Sequence, residues 1–213
     1  VFISDVDSEN LAAILELNTP GLMVESSTVR EYHTTYGAHI LGYMGAMTDA
    51  EWQENQKLGY SMDADVGKSG FEQAFETYLH GIDGQRLDKV TKEGTIVSQQ
   101  YLEGKEPVAG NNVETTIDID LQKVAEDALA KRMKELTDPN TGGEGEGIDA
   151  QGAAVVVMKV KTGEILACAS YPTFNLATMK EDWDAINSDD LKPLFNRAFG
   201  ATYAPGSTYK MCT

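Results

Sequence analysis

Cysteine is scarce in this chain of 213 residues, where Cys168 and Cys212 stand far apart with no Cys-x-x-Cys and no Cys-His spacing. Structural zinc needs close sets of thiolates and imidazoles, and disulfide frameworks need several pairs, so neither is signalled. The compartment is not legible from two thiols. Basic residues are also few, seventeen Lys plus Arg against thirty-four Asp plus Glu, for a formal net charge of -17. That balance argues against holding nucleic acid or an anionic membrane surface through a basic patch, and it describes a hydrated, self-repelling surface. No run of eighteen apolar residues occurs, and no basic segment followed by an apolar stretch opens the chain, so neither a membrane span nor a signal peptide is visible in it. The chain opens on Val1-Phe2-Ile3 without an initiator Met, and both ends are expected to be cuts within a longer product. What remains is ordinary globular material: 41% hydrophobic residues, in a length that suits one large or two small domains.

Periodicity mixes helices with short strands. Ser8 to Leu17 reads as a helix, Asn18 to Gly21 as a turn, and Leu22 to Tyr32 as a strand with β-branched residues. Thr48-Asp49-Ala50-Glu51 has the form of a capping box, in which the Thr and Glu side chains each satisfy the other's backbone N–H at the start of a helix. Ser69 and Gly70 precede a helix expected through Leu79 and closed by Gly81. From Arg86 to Thr116 the pattern turns to β, and Lys89–Thr91, Thr95–Tyr101 and Val113–Ile117 are expected to form a small meander, separated by Gly94, Gly104 and Gly110-Asn111-Asn112. Leu121, Val124, Ala125, Ala128, Leu129 and Met133 then recur at helical spacing behind Asp118 or Asp120 as the cap, an amphipathic helix. Thr141 to Gly147 is a glycine and glutamate run that reads as a loop. Ala153–Lys159 and Glu164–Ser170, joined by Val160-Lys161-Thr162-Gly163, read as a hairpin that Pro172 ends. Thr178 to Phe199 reads as irregular helix.

The most chemically suggestive residues come last. Ala204-Pro205-Gly206-Ser207-Thr208-Tyr209-Lys210 is a Pro-Gly turn feeding a Ser-x-x-Lys pair. On a helix beginning at Ser207, Lys210 shares the serine's face, and the free N–H groups of the first turn favour a nucleophile that develops negative charge. Lys210 is then the base, provided that burial or a neighbouring cation keeps it neutral. The same residues also describe a plain helix start with an exposed lysine, and the pair alone does not separate the two. Other motifs fall away. Gly67-Lys68-Ser69 lacks the glycine five positions earlier that a phosphate loop needs, since position 62 is Met62. Asp63 and Asp65 lack the glycine and distant glutamate of a calcium loop, and His33, His39 and His80 show no metal-ligand spacing and read as surface or packing residues. No cofactor and no metal are implied.

Six stretches, in order, resemble the class B penicillin-binding proteins. Arg30 and Tyr32 with Ala38-His39-Ile40-Leu41-Gly42-Tyr43, and Gly67-Lys68-Ser69-Gly70-Phe71-Glu72 with Leu79-His80-Gly81 and Gly84, are similar to signatures of that family's non-catalytic pedestal, or dimerisation domain. Thr116-Ile117-Asp118 with Leu121-Gln122 resembles the entry into its transpeptidase domain. Thr162-Gly163-Glu164-Ile165-Leu166-Ala167 with Ser170-Tyr171-Pro172 resembles its first hairpin. Asn196-Arg197-Ala198 and Pro205-Gly206-Ser207-Thr208-Tyr209-Lys210 complete the series, which covers nearly the whole chain. Singly these pieces are loose; in this order they are specific.

The resemblance implies an α+β fold: a mixed pedestal with a small antiparallel sheet over residues 1–115, then the first part of a transpeptidase domain over 116–213 with a helix, a β-hairpin and a nucleophile helix. It implies Ser207 as the acylating serine and Lys210 as its base, acting on the D-Ala-D-Ala end of peptidoglycan stem peptides, with β-lactams as blocking mimics. It further implies an extracytoplasmic location on a bacterial membrane, a parent anchored by an N-terminal helix, and membrane-bound division or elongation proteins as partners, and it leaves a homodimer through the pedestal open. Such enzymes need a Ser-x-Asn motif and a Lys-Thr-Gly strand after the nucleophile. Neither follows Ser207. The upstream copies Ser8-Glu9-Asn10 and Lys161-Thr162-Gly163 read as a helix start and a hairpin turn, so the isolated chain is expected to be inactive. Two alternatives stay open. One is a β-lactam sensor or serine β-lactamase, which would not carry the first 115 residues; the other is a non-catalytic interaction module. Elongation, septation and sporulation roles are not distinguished, nor is the stem peptide preferred.

Overall fold

The computed structural model describes residues 6–17, 19, 22, 24, 29–92, 96–140, 149–204 and 206–212. Helix α1 (Ser8–Glu16) matches its expected span, with Asp7 as the cap: one carboxylate oxygen accepts the N–H groups of Glu9 and Asn10 at 3.0 and 2.8 Å. Of the expected turn at 18–21 only Thr19 is among the described residues. Of the strand expected over Leu22–Tyr32, the described residues Leu22, Val24 and 29–32 join no strand, and the rest lies outside the described residues. Arg30 is drawn to Glu72, with its Nε 3.0 Å from a carboxylate oxygen, and Tyr32 packs against a core cluster centred on Ala38.

Helix α2 (Ala38–Leu41) is a single turn set between two glycines in the left-handed region, Gly37 (φ 75°) and Gly42 (φ 78°). Strand β1 (Met44–Ala46) follows, then α3 (Asp49–Asn55), a 3₁₀ turn over Gln56–Leu58, and β2 (Asp65–Gly67), which pairs antiparallel with β1. The glycine before α4 (Gly70–Ala74) meets the glycine after α2. A Cβ on Gly42 would strike the Ser69 carbonyl, and one on Gly70 would lie 2.5 Å from the Ile40 oxygen and 2.6 Å from the Gly42 nitrogen. Two segments nearly thirty residues apart thus touch backbone to backbone, which only glycine permits.

The capping box of α3 forms as expected: the Thr48 N–H donates to Glu51 at 2.7 Å, and the Glu51 N–H donates to the Thr48 hydroxyl at 3.3 Å. The Lys68 ammonium reaches the same carboxylate at 2.5 Å. The one helix expected from Gly70 to Leu79 is two, α4 and α5 (Glu76–Leu79), broken at Phe75 (φ -111°, ψ 15°). Glu76, freed by the break, accepts the Gly67 N–H at 2.7 Å and the Tyr60 hydroxyl at 3.1 Å.

Strands β3 (Arg86–Val90) and β4 (Ile96–Tyr101) form an antiparallel hairpin, but the expected third strand of the meander, Val113–Ile117, is not assigned to any strand. The chain there is captured by the following unit: the Thr116 hydroxyl donates to the Ile165 carbonyl at 2.7 Å, and the Asp118 N–H donates to the Leu166 carbonyl at 2.9 Å. Helix α6 (Ile119–Thr137) comes next; the loop expected over Thr141–Gly147 lies outside the described residues. Strands β5 (Ala153–Met158) and β6 (Ile165–Tyr171) make the expected hairpin, with Gly163 (φ 77°) in its turn. The expected irregular helix resolves into α7 (Trp183–Ser188) and α8 (Arg197–Gly200), followed by a 3₁₀ helix over Gly206–Cys212. The result is α+β, with three separate two-stranded antiparallel sheets among the described residues. Among the described residues no helix is long and apolar enough to cross a membrane.

Gly42→Ala should destabilise the chain by about 2 kcal/mol or more, from backbone overlap and a strained φ together, measurable as a lowered denaturation midpoint. The Glu51 carboxyl is held down to about 2 from an ordinary 4.5, chiefly by the Lys68 hydrogen bond and then by Thr48. Its ionised form is thus favoured by folding, so this contribution is complete above about pH 4.5 and is lost as pH falls toward about 2. Lys68→Met should therefore weaken the acid dependence of the thermal midpoint in that window; an unaltered acid limb would refute it.

Candidate functional site

The stretch before Ser207 is built on α6 and the β5–β6 hairpin. Asp118, rather than Asp120, caps α6: its carboxylate accepts the N–H groups of Asp120 and Leu121 at 3.0 and 3.1 Å. The helix lies on β6, where Ala125 meets Ala167 and Ala169 with Leu121, Leu129, Val155 and Val157 around them. Small residues on both surfaces let the helix approach the sheet closely. The expected apolar face is shifted, since Val124 is 63% exposed and Ala128 is also exposed while Gln122 is completely buried.

Gln122 replaces a missing strand neighbour. Its carbonyl accepts the Cys168 N–H at 2.7 Å, and its amide donates to the Cys168 carbonyl at 2.8 Å and to Glu126 at 2.6 Å. Glu126 in turn accepts the Gly37 N–H at 2.7 Å, so the turn before α2 is tied through α6 to β6. Burial pushes the Cys168 thiol up, which suits a packing residue and not a nucleophile.

Around α2 a second contact forms. Ala38 packs with Phe174, Leu176 and Met179, and the His39 ring meets Phe174 edge-on at 5.2 Å. His39 Nε2 lies 2.6 Å from the Pro193 carbonyl, which can only accept, so that nitrogen carries the proton. Burial, aided by the Arg197 charge, holds His39 below the usual imidazole range against the opposing pull of the Pro193 carbonyl. Arg197 itself is spent on backbone, donating to the carbonyls of Leu191, Lys192 and Phe195.

From α8 the chain runs through 201–204 to the 3₁₀ helix that carries Ser207 and Lys210. The expected helix start at Ser207 is displaced by one residue, with Gly206 (φ 53°) as the first helical residue, and the winding is 3₁₀. At three residues per turn, positions i and i+3 eclipse, so Ser207 and Lys210 stand on one face. Both residues are exposed. A serine hydroxyl can serve as a nucleophile and a lysine amine as a base. Ser8 opens α1, Lys161 to Gly163 form the β5–β6 turn, and Lys68 is paired with Glu51, so none of the other motif fragments joins the pair. Among the described residues no group of three or more His, Cys, Asp or Glu could hold a metal ion.

Comparison with known proteins is consistent across sequence and structure. A family model described as the penicillin-binding protein dimerisation domain matches residues 1–115, and one described as the penicillin-binding protein transpeptidase domain matches 153–213. The chain belongs to the class B penicillin-binding proteins. Among relatives in the family, the peptidoglycan D,D-transpeptidase MrdA of Acinetobacter baumannii is 32% identical over 197 residues, covering 90% of this chain and 26% of the relative. MrdA of Escherichia coli K12 is 30% identical over 210 residues, covering 93% and 30%. This penicillin-binding protein chain thus spans between about a quarter and a third of the relatives' length. Its fold is similar to a chain in a peptidoglycan synthase complex that coordinates polymerisation and crosslinking, with a TM-score of 0.64, 31% identity and coverage of 89% of this chain and 33% of that one. It is also similar to a chain in the complex between PBP2 and MreC from Helicobacter pylori, with a TM-score of 0.56, 25% identity and coverage of 83% and 30%.

Sequence reasoning missed the polar ties of the site. Gln122 sits inside an amphipathic pattern that treats it as solvent-facing, and Asn196, the cap of α8, lay in a family-like stretch and inside the expected irregular helix, with no capping role legible. Gln122→Leu leaves the Cys168 N–H and carbonyl buried without their partners, and should cost about 2–3 kcal/mol of stability in chemical denaturation. A variant as stable as wild type would show that water reaches the β6 backbone there.

Proposed function

We propose that residues 1–115 are the pedestal and 116–213 the opening of the catalytic domain of a peptidoglycan D,D-transpeptidase, with Ser207 as nucleophile and Lys210 as base. The observation that carries this reading is the pair on one face of a 3₁₀ helix, inside the stretch that matches the transpeptidase family model. Ser207 Oγ attacks the carbonyl carbon between the two terminal D-alanines of a stem peptide while Lys210 accepts its proton. The C–N bond breaks, the proton passes to the departing D-alanine amine, and the stem is left as an ester on Ser207. An amine from a neighbouring stem attacks that ester, forms the cross-link and returns the proton to Ser207. A β-lactam enters by the same attack and stays as the ester. The Ser207 backbone N–H, at a helix start where such groups lack intrahelical partners, supplies one oxyanion donor.

The rest of the machinery belongs to motifs that in such enzymes follow the nucleophile, a Ser-x-Asn and a Lys-Thr-Gly strand, and none of the residues after Ser207 supplies them. In multi-part active sites the loss of one part removes most of the rate. The isolated chain is therefore inactive. The parent works at the extracytoplasmic face of a bacterial membrane, and its pedestal docks membrane-bound elongation or division proteins; the similarity to a chain solved with MreC supports this part of the reading.

A fluorescent penicillin tests it. The intact protein that contains this chain should give a covalent band, which Ser207→Ala abolishes and Lys210→Ala slows by roughly a hundredfold or more. The 213-residue chain alone should not label. A band that survives Ser207→Ala would overturn the assignment of the nucleophile, and robust labelling of the isolated chain would overturn the need for the later motifs.

A further inference from the structure

Three segments far apart in the chain meet at the Asn196 side chain. Its Oδ1 accepts the Phe199 N–H at 3.3 Å, closing the first turn of α8, and also the Ser170 hydroxyl at 3.3 Å. Its Nδ2 donates to the His39 carbonyl at 3.3 Å. Ser170, 4% exposed near the end of β6, accepts the Ala198 N–H at 3.2 Å, so the strand holds α8 at two points. His39 is itself fixed by its bond to Pro193. An asparagine suits this junction because one end of its amide offers two lone pairs and the other offers donors.

Capping alone does not require this arrangement. A cap needs only the side-chain oxygen, and aspartate serves as well as asparagine in that role. The bond to the His39 carbonyl is surplus to the cap, and it ties α8 to a turn 157 positions earlier. Beyond α8 only the run 201–204 and Pro205 separate Gly200 from the helix of Ser207. The direction in which α8 delivers the chain therefore bears directly on where the serine sits. In acyl transfer a misplacement of about 1 Å can cost on the order of a hundredfold in rate.

We infer that Asn196 is a positioning residue, which uses the His39 carbonyl as a fixed point so that the placement of the pedestal sets the placement of Ser207. The inference rests on the reading of Ser207 as the acylating serine. It gives the pedestal a part in acylation. A partner that shifted the α2 turn would then change the acylation rate without touching substrate.

The test uses the intact protein and a fluorescent penicillin, with the non-covalent dissociation constant and the acylation rate constant measured separately. Asn196→Asp keeps the cap and the acceptor for Ser170 but sets a second oxygen against the His39 carbonyl. It should lower the acylation rate constant about tenfold, with the dissociation constant and Tm near the wild-type values. Ser170→Ala, which leaves the bond to His39 but removes both the hydroxyl that orients Asn196 and the acceptor for the Ala198 N–H, should give a smaller loss in the same constant. Wild-type acylation rates in both variants overturn the inference, and so does a loss that only follows a fall in Tm. If Asn196→Asp does not fold, an unchanged rate in Ser170→Ala is sufficient to overturn it. A wild-type protein that is not acylated at Ser207 overturns the functional reading and this inference with it, whereas normal acylation of Asn196→Asp overturns the inference alone.

Discussion

The backbone contact between Gly42 and Gly70 is the constraint on which the rest of this molecule depends. It holds the α2 turn against the start of α4, and that turn is where the pedestal segment meets everything that follows. Gly37 reaches α6 through Glu126, Ala38 reaches the loop after β6 through Phe174, Leu176 and Met179, and His39 reaches Pro193 and Asn196. A four-residue helix has little stability of its own, so these contacts and not helix propensity keep it in place. Its glycines supply the left-handed residues at each end and remove the side chains that would block the approach.

The junction is polar as well as apolar, and this gives it a defined geometry. Apolar packing tolerates small slips, whereas a buried donor or acceptor that loses its partner costs roughly 1–3 kcal/mol. Gln122, Ser170 and His39 are all buried and all bonded, and among the described residues no buried side-chain nitrogen or oxygen lacks a partner. The arrangement therefore resists intermediate positions. Movement of the turn relative to α6 would break several such bonds together, which is the physical content of a coupled unit.

Much of the fold was legible beforehand where neighbours in sequence decide the outcome. The Thr48 capping box, the α6 helix behind Asp118 and the β5–β6 hairpin all formed with boundaries close to those expected, because each is set by residues a few positions apart. The misses share a cause. Val113–Ile117 has the composition of a third strand, but the Thr116 hydroxyl bonds to Ile165 and the N–H of Asp118 just after it bonds to Leu166, which ties this stretch to the next unit. The helix expected over Gly70–Leu79 breaks at Phe75, and Glu76 beyond the break bonds to Gly67 and Tyr60. The amphipathic face of α6 is rotated toward Gln122 because β6 offers an unpaired backbone at Cys168 that only a polar side chain can satisfy.

The sequence by itself determined the chemistry available and its local spacing: a serine and a lysine three apart after a Pro-Gly turn lie on one helical face whichever helix type forms, since both α and 3₁₀ windings bring i and i+3 together. It also determined membership of the family, because six ordered motifs are a pattern that no single motif supplies. Only the tertiary structure decided what those motifs do for one another. The two pedestal signatures are two sides of one glycine contact, and the Asn196 motif is a bridge from the pedestal to the segment bearing Ser207. Such relations span up to 157 positions, a separation across which neither propensity nor periodicity carries information, so they exist only once the chain has closed on itself.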